Sequence, residues 1–184
     1  MKYIYLVLFI TFFGLSTTLF GQEHEKANNE HHEVDEEFKH NRLLFEFGYT
    51  HIPDGYEDIE GDQDIWVPTF GLSYVYHFNH KWGASLTTNL ETAKYQVPGD
   101  TEDFTRENVL IISAVGIYEI LPNWGVFVGP GIEIEKHHNF AMLRFGTEYI
   151  MLLNKNWFIT PIFTFDHKFQ YTSVEISLGI GKRF

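Results

Sequence analysis

Residues 173–184 read Ser173-Val174-Glu175-Ile176-Ser177-Leu178-Gly179-Ile180-Gly181-Lys182-Arg183-Phe184. Val174, Ile176, Leu178 and Ile180 share one side of a two-residue period, and Ser173, Glu175, Ser177, Gly179 and Gly181 share the other. Alternation of this kind marks a strand with two unlike faces. The pattern recurs upstream. Phe70, Leu72, Tyr74, Tyr76 and Phe78 alternate with Gly71, Ser73, Val75 and His77, and Leu43, Phe45, Phe47 and Tyr49 alternate with Leu44, Glu46, Gly48 and Thr50. One face is bulky and aromatic, as a surface against lipid requires. The other carries small or charged residues, as a narrow interior requires. Membrane barrels alternate lipid-facing and lumen-facing residues in this way.

Working outward from that end, eight segments fit, near 42–52, 65–78, 82–94, 107–120, 124–135, 140–152, 157–166 and 171–184. A tilted strand needs about ten residues to cross the apolar band. The predicted fold is all-β, an eight-stranded antiparallel up-and-down transmembrane β-barrel over residues 42–184. Three connections are tight and place Trp directly after an Asn-containing turn: Asn79-His80-Lys81-Trp82, Asn123-Trp124 and Asn154-Lys155-Asn156-Trp157. Asn tolerates left-handed backbone and bonds its own chain. Trp suits a membrane interface, having an apolar body and one polar N–H. Trp82, Trp124 and Trp157 therefore form an expected interfacial girdle on the short-turn side, which in such barrels is periplasmic. The longer connections, near 53–64 and 95–106, and the shorter ones near 136–139 and 167–170, fall on the opposite side.

The N-terminus differs from the rest. Met1-Lys2 followed by the apolar run Ile4 to Phe13 is the pattern of a signal peptide, assigned to residues 1–21. Residues 22–41 carry seven acids and four histidines with little to bury, a periplasmic tail in which His31 and His32 are candidate metal ligands. The 184-residue chain has no cysteine, which excludes disulfides, thiolate-bound zinc and thiol nucleophiles. Its net charge of −12 argues against a nucleic-acid partner.

The signal-like start, the eight amphipathic segments and the ending Ile180-Gly181-Lys182-Arg183-Phe184 resemble small bacterial outer-membrane barrels of the OmpA/OmpX/OmpW type. Val67-Pro68-Thr69-Phe70-Gly71-Leu72 and Val128-Gly129-Pro130-Gly131-Ile132-Glu133 look like uncharacterised barrel proteins of Bacteroidetes. The resemblance covers residues 42–184. It implies an outer-membrane location with both N-terminal tail and C-terminus periplasmic, and a terminal Phe184 that serves as the signal read by the barrel-assembly machinery. It implies no single activity.

Parity sends eight acids inward: Glu46, Glu91, Glu119, Glu133, Glu135, Glu148, Asp166 and Glu175, against Arg144, Arg183 and His77. Small barrels fill their interior with side chains, so the first expectation is a non-catalytic structural or interaction barrel with a polar filled lumen and no cofactor. Confined carboxylates cannot all ionise cheaply. The alternative is thus a narrow cation-binding or cation-conducting barrel, with divalent cations as partners alongside outer-membrane lipid. Glu133 and Glu135 are the expected partners of Arg144. A second alternative is a lipid A-modifying enzyme, which would need Ser, His and an acid together; His77 with Ser73, or His167 with Ser173 and Glu175, are the nearest approaches. The acids of the first long loop (Asp54, Glu57, Asp58, Glu60, Asp62, Asp64) and the pair His137-His138 are further possible ligands.

Overall fold

A computed structural model of the chain describes residues 38–53, 55–56, 64–99, 103–136 and 138–184. The segment assigned to a signal peptide and most of the tail, with His31 and His32, lie outside the described residues. The strands are β1 (Asn41–Ile52), β2 (Ile65–His77), β3 (Trp82–Val97), β4 (Phe104–Leu121), β5 (Trp124–Ile134), β6 (Phe140–Tyr149, resuming as Met151–Leu152 beyond Ile150), β7 (Trp157–Lys168) and β8 (Thr172–Arg183). Each pairs antiparallel with the next, and β8 pairs back onto β1 from Arg42↔Arg183 to His51↔Val174, so the sheet closes on itself. This is an eight-stranded antiparallel barrel, as the alternation predicts. Closure is what makes a sheet admissible in hydrocarbon, because it leaves no unpaired edge.

The two faces divide as the period demands. Leu72, Tyr74, Tyr76, Ile176 and Leu178 are exposed, whereas Ser73, Val75, Glu175 and Ser177 are buried in the lumen. Inside, large residues sit opposite glycines. Glu46 lies between Gly71 and Gly179, Leu44 pairs with Gly181, Arg144 with Gly129 and Glu148 with Gly125. At these levels a long side chain is set beside a residue that has none, the alternation of small and large that small barrels use.

The short turns follow their asparagines. Asn79 Oδ1 accepts the N–H groups of Lys81 and Trp82 at 2.8 and 3.0 Å. Asn154 Oδ1 does the same for Asn156 and Trp157 at 3.0 and 2.9 Å. Asn123 takes the left-handed backbone, φ 65°, in the two-residue turn between β4 and β5.

Three boundaries differ from the sequence expectation. Half of the 95–106 connection is strand: β3 runs to Val97 and β4 starts at Phe104. A bulge permits this, with Thr92 and Ala93 facing Asn108 between the pairs Glu91↔Val109 and Lys94↔Glu107. Asn108 has φ 51°. Beyond the bulge, Tyr95, Val97 and Arg106 turn inward and are buried. β7 likewise extends to Lys168. Finally, residues 38–41, expected in the tail, already lie along the barrel. His77 N donates to His40 O at 2.7 Å, and Asn41 and Phe184 exchange both backbone bonds at 3.2 and 3.0 Å.

Two substitutions test this packing. Leu178→Arg places a charge on the lipid face and is expected to cost about 2–4 kcal/mol in urea unfolding from vesicles. Gly48→Ala should destabilise the barrel, because a β-carbon there would overlap the Ile176 carbonyl and Ser177, whereas Gly116→Ala meets only the Val128 carbonyl, at 3.9 Å, and should be tolerated. Equal effects of the two glycine substitutions would overturn the assigned inner packing.

Candidate functional site: the charged lumen

The charged residues of the lumen form three tiers. At the short-turn end, Arg42 Nη2 donates to Glu148 Oε1 at 2.7 Å. The buried Phe158 ring has the Arg42 guanidinium at 5.8 Å from its centroid and that of Arg183 at 5.7 Å. Glu119 stands at the mouth, only partly buried, 4.0 Å from His77 Nδ1.

The middle tier centres on Arg144, which is buried. Its Nε and Nη2 hold Asp166 in a two-pronged pair at 2.8 and 2.7 Å, and its Nη1 donates to Asn89 Oδ1 at 2.6 Å. A planar guanidinium meets a carboxylate best in this forked arrangement. Arg144 and Asp166 face each other directly in the β6–β7 ladder, so strand register sets the pair. Glu46 accepts a short bond from the Ser73 hydroxyl. Beside it lies a small cavity of about 40 Å³, lined among others by Glu46, Ser73, Thr87, Arg144 and Glu148. That is room for a few waters.

The tier nearest the long loops is built on Glu133. Its carboxylate pairs with Arg106, lies 2.7 Å from Lys168 Nζ and accepts from the Tyr171 hydroxyl at 2.6–2.7 Å. Glu135 lies 3.7 Å from Arg106 Nη1. Lys168 also donates to Ser173 Oγ at 3.0 Å, and Tyr95 donates to Glu91 Oε2 at 2.6 Å. The other Glu91 oxygen is buried without a bonding partner. Apolar side chains pack around this tier: Ile52, Ile65, Val67, Val97, Phe140 and Met142 belong to one buried cluster with Tyr95 and Tyr171. At the other end Leu44, Ile150, Phe158 and Ile162 form a second cluster.

All eight acids expected inside do face inward, with Glu119 at the rim. Two expectations need correction. Glu133 and Glu135 do not serve Arg144; they serve Arg106, and Arg144 is taken by Asp166 across the adjacent strand. The imbalance of charge is also smaller than expected, because Arg42, Arg106 and Lys168 are buried in the lumen too. Arg42 shares parity with Glu46, and Lys168 with Asp166, so both were readable. Arg106 was not, since the bulge resets the parity of β4. The constellation around His167 is not assembled: His167 is exposed on the outer face while Ser173 and Glu175 are buried inside. His77 and Ser73 both face inward, with Ser73 donating to Glu46 and His77 4.0 Å from Glu119. His137 lies outside the described residues, and the neighbouring His138 packs its ring on Phe104. Among the described residues, no three His, Asp or Glu are grouped as metal ligands are.

Trp82, Trp124 and Trp157 all stand at the short-turn end. Trp82 and Trp157 are exposed, and Trp124 donates its indole N–H to Thr147 Oγ1 at 2.7 Å. Phe184 is exposed at the same end, where it closes the seam on Asn41.

No protein-family model matches the chain, and no curated protein matches it in sequence. Solved structures match its fold. The outer membrane protein OprG of Pseudomonas aeruginosa is similar at a TM-score of 0.57 with 12% identity, over 79% of this chain and 96% of that one. The N-terminal β-barrel domain of Pseudomonas aeruginosa OprF gives 0.53 and 13%, over 80% and 100%. Ail, the attachment invasion locus protein of Yersinia pestis, gives 0.50 and 16%, also over 80% and 100%. At these identities the likeness is one of fold: the chain has the architecture of small outer-membrane β-barrels.

Arg144→Ala should destabilise the barrel by roughly 3–5 kcal/mol, because it strands Asp166 and leaves Glu46 and Glu175 without their nearest cation. Glu175→Gln should be neutral or stabilising, since it removes one surplus acid. Urea titrations of both variants in the same lipid check the ranking, and the reverse order would refute the assigned pairing.

Proposed function

We propose that this protein resides in the bacterial outer membrane as a non-catalytic structural or interaction barrel with a sealed lumen, its short turns, N-terminal tail and C-terminus facing the periplasm. The observation that carries this is the filling of the interior. Buried ion pairs occupy its length, and apolar clusters pack across it near both ends. Exposed Phe45, Phe47, Phe70, Leu72, Phe163 and Leu178 supply a surface that water would not tolerate in so large a patch and lipid would. Partners in this view are outer-membrane lipid and, during biogenesis, the barrel-assembly machinery acting on Phe184. A cation-binding lumen is the second possibility, favoured by the surplus of acids and by the unpartnered Glu91 oxygen, with divalent cations as the bound species.

Planar-bilayer recording separates the two. The expected outcome for the refolded barrel is no resolved channel. Steady cation-selective conductance, abolished in Glu91→Gln, would replace the sealed barrel with the cation pathway. Membrane fractionation, with different migration of boiled and unboiled protein on a detergent gel, tests residence and closure.

A further inference from the structure

We infer that the short-turn end of the barrel binds the phosphate headgroups of anionic phospholipid in the leaflet it faces. The inference rests on the outer-membrane placement proposed above and adds a lipid class to it. Six of the chain's 13 lysines and arginines stand at this one end: Lys39, Arg42, Lys81, Lys155, Lys182 and Arg183. Arg42 is buried and engaged with Glu148. Lys81, Lys155 and Lys182 are on the outside. The acids at this end, among the described residues, are Glu148 and Glu119, both directed into the lumen or its mouth. The sequence of 22–37, ahead of Phe38, adds seven acids and Lys26, so it is where the lysines sit, and not the net charge of this end, that favours an anionic headgroup. The Phe184 carboxylate adds one more negative charge.

Position carries the inference. Lys81 directly precedes Trp82. Lys155 lies two residues before Trp157, and Lys182 pairs with Trp157 across the β7–β8 ladder, its Nζ 5.8 Å from the indole centroid. Indoles settle at headgroup depth, so these ammonium groups sit where lipid phosphates are. The far end differs. The sequence of 53–64 holds six acids and that of 98–103 three, with no Lys or Arg in either. Lysines at headgroup depth favour anionic headgroups around the Trp82 and Trp157 belt, and the loop end has no such belt.

The test uses the full chain refolded into phosphatidylcholine vesicles containing brominated phosphatidylglycerol. Trp66→Phe and Trp124→Phe leave Trp82 and Trp157 as the reporters. Quenching should exceed that expected from the mole fraction of phosphatidylglycerol. The preference should fall roughly fivefold per lysine removed in Lys81→Gln, Lys155→Gln and Lys182→Gln combined, and should collapse in 1 M salt. Native mass spectrometry of lipid retained by the chain without Trp substitutions gives the same comparison should the reporter variant fold poorly. Quenching that tracks mole fraction, or a preference that survives the triple substitution, overturns the inference while leaving the barrel intact. Lipopolysaccharide that displaces phosphatidylglycerol equally from the parent and the triple variant also overturns it. A chain that enters none of these bilayers overturns the inference and the outer-membrane placement together.

Discussion

The seam between β1 and β8 is the constraint on which the rest depends. Hydrocarbon offers no partner to a backbone N–H or C=O, so each unpaired group costs several kcal/mol there. An open eight-stranded sheet would leave two such edges. The ladder from Arg42↔Arg183 to His51↔Val174 removes both, and the exchange between Asn41 and Phe184 carries it to the chain terminus. Closure at eight strands then fixes a narrow lumen with little room for large side chains at each level. The glycines opposite Glu46, Leu44, Arg144 and Glu148 follow from that limit, not from any need for unusual backbone.

Inside so narrow a space, the ion pairs are arranged by register. Arg144 reaches Asp166 because the two are ladder partners, and Glu133 gathers Arg106, Lys168 and Tyr171 because β4, the end of β7 and the turn that follows it meet at one height. Taking such groups from water is expensive, and a buried pair returns that cost only with good geometry and satisfied hydrogen bonds. The Arg144 fork meets this standard. The turn-end tier does so less fully, since Arg42 Nε and Nη1 lack protein partners. The small cavity lined by Glu46, Arg144 and Glu148 places space for water among polar groups of the middle and turn-end tiers.

Strand number, face assignment and the inward set of acids were legible in the sequence because a period of two survives wherever one side meets lipid and the other a crowded lumen. Asn-to-Trp spacing disclosed the short turns for a local reason, since Asn79 and Asn154 bond the N–H groups of the residues that follow. Partner choice was not legible. Parity says that Arg144, Glu133 and Asp166 all point inward, but only the stagger between strands says which meet. Arg106 was hidden by the bulge opposite Asn108, a feature with no compositional mark beyond one asparagine. Lys168 carries the parity of Asp166, so its inward face was legible; the end of β7 was not, because the aromatic alternation stops at Phe165 while the strand continues.

The charged interior also limits what else this sequence can form. Slipping any strand by one residue exchanges its faces. For β7 that would carry Asp166 and Lys168 toward lipid; for β1, Arg42 and Glu46. Near the bilayer midplane each exposed arginine or lysine costs about 2–4 kcal/mol. An all-apolar lumen would carry no such penalty, since its residues are as acceptable to lipid as those already outside. Buried pairs of modest net stability thereby discriminate strongly between registers. The native alignment, which keeps Arg42, Glu46, Arg144, Glu148, Asp166 and Lys168 inside, is separated from its neighbours by penalties that accumulate strand by strand.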